Sequence, residues 1–239
     1  LKKAEEMFGR AGKTHPFARL ALGSVVALQG RNAEAFDILK GLSRSQPDLV
    51  EIYPLLGIVA LDLGNQEEAL LAFRKGFALG SKDYRLLDIG IAMLIDKGES
   101  SEVARWADVA LDTFPADCSF ASAKGRSLEL QGDLAAAQNY YATTLRNDPS
   151  CQFSWENLGL VQMNAGDFQA AAVTFERAIA APGDVLPNHY LNLGHIYWND
   201  LGLKEKGLAV YKRYIARWPE GWRNLPAEVQ ADLAVRKGR

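Results

Sequence analysis

The stretch WENLGLVQMNAGDFQAAAVTFERA, residues 155–178, decides how the rest of the chain is read. Leu158 stands beside Gly159, Ala171 precedes Phe175 by one helical turn, and Ala178 follows it by nearly another. Gly166 interrupts the run midway, as a glycine does when it ends a helix in the left-handed conformation that other residues resist. Asp167 follows it, with a side chain able to cap the next helix. The segment therefore reads as two helices and a tight turn. Its punctuation recurs along the chain: Gly64, Gly98, Gly132 and Gly166 follow one another at a constant spacing of 34, as do Gly23 and Gly57, and Pro115 and Pro149, while Pro47 lies 68 before Pro115. A fixed period of this length marks a solenoid. One hairpin cannot bury its apolar face alone, so neighbours must stack to build a continuous core.

Working outward, a second clear copy runs through Tyr53, Leu56, Gly57, Gly64, Ala69 and Phe73. The unit from Phe17 carries Leu22, Gly23, Gly30, Ala35, Leu42 and Pro47, and the unit from Ser119 carries Gly125, Gly132, Ala137, Tyr141 and Pro149. A third unit keeps Gly98 and Pro115 but places Ile91 where the helix-contact glycine is expected; a sixth, with Tyr190, Leu193, Gly194, Tyr197, Tyr211, Tyr214 and Pro219, needs one extra residue before Gly202. Ala4, Phe8, Ala11 and Pro16 fit the second helix of a preceding unit. Small residues let two antiparallel helices approach, the aromatic fills the seam between them, and proline ends the second helix by removing a backbone donor.

This order of an aromatic, Leu-Gly, an aromatic, Gly, Ala, an aromatic, Ala and Pro resembles the tetratricopeptide-repeat family. The resemblance implies an all-α fold: an α-solenoid, wound as a right-handed superhelix, of about six tetratricopeptide hairpins. We expect a single solenoid domain over 1–239, with a half repeat at 1–16, hairpins at 17–48, 50–82, 84–116, 118–150, 152–184 and 187–220, and a capping helix at 224–237. The cap is read from Pro226 in a first turn and from Leu225, Val229 and Leu233 with the intervening Ala231 and Ala234, which form an apolar stripe with Glu228, Gln230 and Asp232 outside it.

Composition agrees with a folded chain: 48% hydrophobic and 23% charged residues exclude wholesale disorder. No apolar run approaches the roughly 20 residues that cross a bilayer. The net charge of −2 argues against general nucleic-acid affinity. It is unevenly spread, because Leu201 to Arg239 holds nine Lys or Arg against four Asp or Glu, so an acidic body precedes a basic tail. Cys118 and Cys151 are too few for a disulfide framework. They stand at nearly equivalent places in adjacent repeats, where a pair is geometrically conceivable; we expect two small semi-buried residues instead. The opening LKKAEEMFGR lacks an initiator Met and reads as the second half of a repeat, which suggests an excised piece of a longer protein.

No catalytic, cofactor or metal constellation is legible. His15 sits at a repeat junction, and His189 and His195 are six apart on one helix, so they face different ways. Every glycine is explained by a helix end or a helix crossing, which leaves no phosphate loop. We expect no enzyme, no catalytic residues, no cofactor and no metal.

Binding follows from the resemblance, which implies that the first helix of each unit lines a concave groove. In the first half this offers Phe17, Leu20, Ser24, Leu28, Glu51, Ile58, Leu61, Asp62, Arg85, Asp88, Ile95 and Asp96, an acidic wall relieved mainly by Arg85. In the second half it offers Ser122, Glu156 and Asn164 together with the residues we take as the partner-binding site: Arg126, Glu129, Phe153, Asn157, Leu160, Met163, Asn192, His195, Trp198 and Asn199. Asn157 and Asn192 occupy one position in successive repeats, where an amide both donates to and accepts from a ligand backbone. Phe153, Leu160, Met163 and Trp198 read as an apolar patch for an anchor side chain. Leu20, Pro54 and Asp88 stand where some relatives place the cations of a carboxylate clamp, which disfavours that mode.

The expected function is a protein–protein interaction scaffold that holds a peptide or helical segment of another protein, with apolar anchors and basic flanks, in its groove. By resemblance, the setting is a bacterial envelope assembly such as a pilus, a secretion system or exopolysaccharide export. The alternatives are a structural spacer or self-association domain, or a substrate-recruiting part of a larger enzyme. Nucleic acid is not an expected partner, since an acidic groove suits neither bases nor phosphates. The oligomeric state is left open, as is the choice between bacterial cytoplasm and periplasm.

Overall fold

The computed structural model describes residues 1–12 and 15–237, with the backbone alone for 235–237. Lys13 and Thr14, which fall inside the expected half repeat, and Gly238 and Arg239 of the basic tail lie outside the described residues. Regular structure among the described residues is helical throughout. It falls into two compact units, Leu1–Ala116 and Asp117–Arg239.

The first unit contains α1 (Lys2–Ala11), α2 (Pro16–Leu28), α3 (Asn32–Ser45), α4 (Ile52–Asp62), α5 (Gln66–Ala78), α6 (Tyr84–Asp96) and α7 (Ser100–Thr113). The second contains α8 (Cys118–Leu130), α9 (Leu134–Asn147), α10 (Gln152–Asn164), α11 (Phe168–Ala180), α12 (Pro187–His195), α13 (Lys204–Arg217) and α14 (Ala227–Lys237). Within each unit consecutive helices pack as antiparallel hairpins, and the hairpins stack on one another, the architecture of an all-α solenoid.

Hairpin turns follow from local chemistry. Gly64 and Gly132 have φ of +75° and +81°, the left-handed region that glycine enters without a Cβ penalty. The next residue then caps the following helix: the Asn65 side chain accepts from the Glu68 backbone N–H, Asp133 from Ala136 and Asp167 from Ala170, at 3.2, 2.9 and 3.0 Å. Helices α3, α7, α9, α11 and α13 each stop two residues before a proline, respectively Pro47, Pro115, Pro149, Pro182 and Pro219.

The two helices of each hairpin meet at a glycine. A Cβ built on Gly57 would lie 2.2 Å from the Phe73 ring, one on Gly125 2.1 Å from Tyr141, and one on Gly159 2.4 Å from Phe175, so each ring occupies the space that any side chain would need. Gly23 meets Leu39 in the same way at 2.8 Å. All four pairs share a single sequence spacing, which places the glycine and its partner level with each other across the turn.

Two irregular repeats depart from the sequence reading in instructive ways. In the third, Ile91 does not replace the contact glycine. Gly90 fills that role, with a built Cβ 2.3 Å from Trp106, and the pair keeps the spacing of the other four. Both partners have moved one position toward the N-terminus, so their contact survives and Ile91 is buried beside it. In the sixth, the spacing from Gly194 to Tyr211 is longer by one, and the extra residue is absorbed as a π-helical turn over Ile196–Asp200. A π turn widens the helix by one residue without breaking its backbone hydrogen bonds.

Cys118 and Cys151 also correct an expectation, for they form a disulfide with Cα atoms 5.5 Å apart. Cys118 opens α8 and Cys151 caps α10, and these first helices of adjacent hairpins pack side by side. Buried Ser122 and Ser154 lie next to it, with hydroxyl oxygens 2.9 Å apart. At the C-terminal end a 3-10 turn, Pro219–Asn224, leads into α14, whose Val229 and Leu233, with Leu225 just before it, are buried in one cluster with Tyr211 and Tyr214. Ala231 and Ala234 are exposed, so the apolar stripe is narrower than the sequence suggested.

The close approach gives a direct test. Gly159→Ala should cost about 1–3 kcal/mol, because the added methyl must displace the Phe175 ring from a packed seam. Trimming the ring in Gly159→Ala/Phe175→Leu should restore part of the loss, read as the midpoint of urea unfolding.

Candidate partner-binding surface

In the first unit α2, α4 and α6 are the first helices of successive hairpins, and they bring residues far apart in sequence to one open cavity of about 370 Å³. Its apolar wall comes from Leu20, Leu28, Leu55 and Ile58, and its polar rim from Ser24, Glu51, Asp62 and Arg85. On α4 the Gly57 contact turns the opposite side, with Leu55 and Asp62, outward, and on α2 an i, i+4, i+8 stripe, Leu20, Ser24 and Leu28, faces the same space. Leu28 is 74% exposed and adds apolar surface beside the cavity. Asp62 accepts from Asn32 at 3.3 Å, and Arg85 reaches Asp83 at 3.5 Å. Seven residues expected in the first-half groove line this cavity. Phe17, Leu61, Asp88, Ile95 and Asp96 do not, while Ala27, Leu55 and Val59 join it unforeseen. The signal that would have found Leu55 is its place one turn before Ile58 and Val59 on the same helix face.

The expected second-half residues lie in more varied surroundings. Phe153 is half exposed and His195 and Asn199 are exposed, whereas Asn157, Leu160 and Asn192 are half-buried. Glu129 is nearly covered: Arg126 donates to one carboxylate oxygen and the Tyr141 hydroxyl to the other, both at 2.5 Å. That hydroxyl is held protonated, its pKa pushed well up by burial and by the Glu129 carboxylate. Trp198 is 8% exposed and belongs to the buried cluster, with the Lys204 ammonium 5.3 Å from its ring centre; Met163 packs half-buried against the same cluster. The apolar patch read from the sequence is therefore divided, with Phe153 and Leu160 reachable and Trp198 turned into the core by the π turn. Ser122 is buried beside the disulfide. Within the π turn, Asn199 Nδ2 is 2.8 Å from Nδ1 of the preceding His195, and Asp200 is 3.7 Å from His195 Nε2.

His189 is fully buried near Phe175, with ring centres 5.9 Å apart. Burial pulls its pKa down to about 4 from 6.5, opposed by the backbone of Gln152. The imidazole is neutral at pH 7, which makes it a core group. Among the described residues, no group of three His, Cys, Asp or Glu stands together as a metal site, and no helix is long and apolar enough to cross a membrane.

Stacked helical hairpins with an apolar, acid-rimmed cleft along their first helices define a class, the α-solenoid whose extended surface supports a protein–protein interaction scaffold. Residues 122–185 match the tetratricopeptide-repeat family, and the chain shares the fold of solved tetratricopeptide-repeat proteins. Among curated proteins it is 28% identical over 147 residues to the mouse protein O-mannosyl-transferase TMTC1, a match covering 59% of this chain and 15% of that much longer relative. Among solved structures it is similar to YrrB, described as a TPR protein with an unusual peptide-binding site: TM-score 0.65, 18% identity, 79% of this chain and 97% of that one. PilW, described as a widely conserved type IV pilus biogenesis factor, superposes with a TM-score of 0.63 at 17% identity, over 91% of this chain and 98% of that one. At these identities the likeness to both structures is one of fold.

Buried His189 gives a pH test. Its folded pKa lies below its unfolded value, so the unfolded chain takes up the proton first as pH falls. The stability conferred by the neutral ring is complete above pH 6.5 and is lost as pH drops from there toward 4. Urea midpoints measured across that window should fall more steeply for the parent chain than for His189→Leu.

Proposed function

We propose that this chain is a non-catalytic interaction module that holds a peptide or helical segment of a partner protein along its first helices. The observation that carries this reading is the cavity between α2, α4 and α6, where Leu20, Leu28 and Ile58 offer a seat for an apolar anchor and Glu51 and Asp62 offer carboxylates to a flanking cation. Asn157 and Asn192, with Phe153 and Leu160, are proposed as contacts to the same kind of segment in the second unit; Arg126, Glu129, Met163, His195, Trp198 and Asn199 complete that proposed surface, Glu129 and Trp198 from below.

The likeness in fold to PilW supports a setting in bacterial envelope assembly, and the peptide-binding site named for YrrB supports a peptide ligand. The Cys118–Cys151 disulfide supports the periplasm over the cytoplasm, since such bonds persist where the surroundings are oxidising. A second reading draws on the match to a mannosyl-transferase: the repeats would recruit substrates to a catalytic part of a longer chain.

A short labelled peptide with a leucine-phenylalanine centre and lysine flanks should bind saturably in fluorescence anisotropy, and Ile58→Asp should weaken it about tenfold. Absence of saturable binding, or indifference to Ile58→Asp, would remove the groove reading. The compartment is tested separately by peptide mapping without reductant: protein from its native source should yield Cys118 and Cys151 in one linked fragment, and free thiols there would favour the cytoplasm.

A further inference from the structure

The second helices of successive hairpins treat charge differently in the two units. In the first unit they are joined by ion pairs. Lys40 on α3 pairs with Glu68 on α5, and Arg74 on α5 reaches Glu102 on α7 at 2.8 Å. Both pairs use the same repeat positions: a cation ten residues after one turn glycine, Gly30 or Gly64, and an acid four residues after the next, Gly64 or Gly98. In the second unit the equivalent positions on α9 and α11 are Ala142 and Ala170, so the ion pair has no counterpart between these two helices.

Arginines gather around the space that is left. Arg146 and Arg177, both exposed, flank a cavity of about 320 Å³ whose walls are Ala142, Leu145, Trp155 and Leu158. Arg146 donates to the neutral Thr143 hydroxyl at 2.7 Å, and among the described residues neither arginine meets a carboxylate. Each stands in the last turn of its helix, where a cation complements the helix dipole. The dipole accounts for their sign and leaves the apolar cavity between them unexplained. One repeat further on part of the arrangement returns: Ile179, Leu193 and Arg213 hold the positions of Leu145, Leu158 and Arg177 around a cavity of about 300 Å³, with Glu176 and Ala180 in place of Ala142 and Arg146. Arg213 there lies over the Tyr190 ring at 5.3 Å, while Glu176 accepts from the Tyr197 hydroxyl at 2.5 Å.

We propose that this second-helix face is a separate interaction surface for an acidic segment of another protein. An apolar side chain of that segment seats on Trp155 between α9 and α11, and carboxylates on either side pair with Arg146 and Arg177. Guanidinium groups suit carboxylates because their planar fork donates two parallel hydrogen bonds. A nucleic acid would want a longer basic stripe than two arginines around a greasy floor. The site shares no residue with the first-unit cavity and carries the opposite charge.

The test uses the whole chain and two labelled, end-blocked peptides with the same leucine-phenylalanine centre, one flanked by glutamates and one by lysines. The glutamate peptide should bind saturably at low salt, Arg146→Glu/Arg177→Glu should weaken it about tenfold, and Ile58→Asp should leave it unchanged. The lysine peptide should show the reverse pattern, so its failure would count against the groove alone. Circular dichroism checks folding; if the charge reversal unfolds the second unit, Arg146→Gln/Arg177→Gln is read in its place. The proposal is overturned by lack of saturable binding of the glutamate peptide, or by binding that ignores the arginines. It is overturned equally by tighter arginine-dependent binding of a single-stranded oligonucleotide, or by sedimentation showing that the arginines hold a second copy of the chain.

Discussion

Each hairpin of this protein depends on one close approach, a glycine in the first helix admitting a large side chain from the second. Gly57 with Phe73, Gly90 with Trp106, Gly125 with Tyr141, Gly159 with Phe175 and Gly194 with Tyr211 all bring an aromatic ring to within 2.5 Å of where a Cβ would stand. Such a contact removes a whole ring from water and lets the two backbones close on each other, so burial and packing are gained together. It also sets orientation. With the glycine side of every first helix committed to its own hairpin, the opposite side faces outward, and successive first helices place those outward sides next to one another. The cavity lined by α2, α4 and α6 is a consequence of that geometry.

Charge is then distributed on a frame that the apolar contacts have already built. Glu51 and Asp62 stand at the rim of the first-helix cavity without a cation of their own lining it except Arg85. On the second-helix side, Lys40 with Glu68 and Arg74 with Glu102 tie the first unit together, whereas alanines at the equivalent positions, Ala142 and Ala170, leave α9 and α11 without such a pair. Ion pairs of this kind, half-buried at the surface, contribute modestly to stability, so replacing one with two alanines costs the fold little. The repeat thus separates what must be preserved, the glycine and its ring, from positions free to vary.

The hairpin grammar was legible because turn glycines, helix-ending prolines and seam aromatics act through local backbone and steric rules that a sequence displays openly. Less legible were adjustments that keep a contact while changing its position. Gly90 was hidden because Trp106 shifted with it, and the pair is recognised only when both ends are seen. The inserted residue of the sixth repeat was visible as the lengthened spacing between Gly194 and Tyr211, but its accommodation as a π turn, with Trp198 carried into the core, was not. Of the candidate site, the first-half stripe Leu20, Ser24 and Leu28 was reached through the resemblance to tetratricopeptide repeats, which places first-helix residues in the groove. Glu129 was reached the same way, but its neutralisation by Arg126 and Tyr141, which joins two helices, was not legible.

What the sequence determined by itself is the repeat: its length, its two helices, its turns and its apolar seam, all set by interactions between residues within one hairpin. Tertiary structure decided what happens between hairpins: that Cys118 and Cys151 meet, that His189 is buried neutral, and that Arg146, Trp155 and Arg177 share one cleft. The physical reason is range. Local rules act over a turn or two of chain, whereas these groups become neighbours only when the stacking of one hairpin on the next brings separate segments into contact.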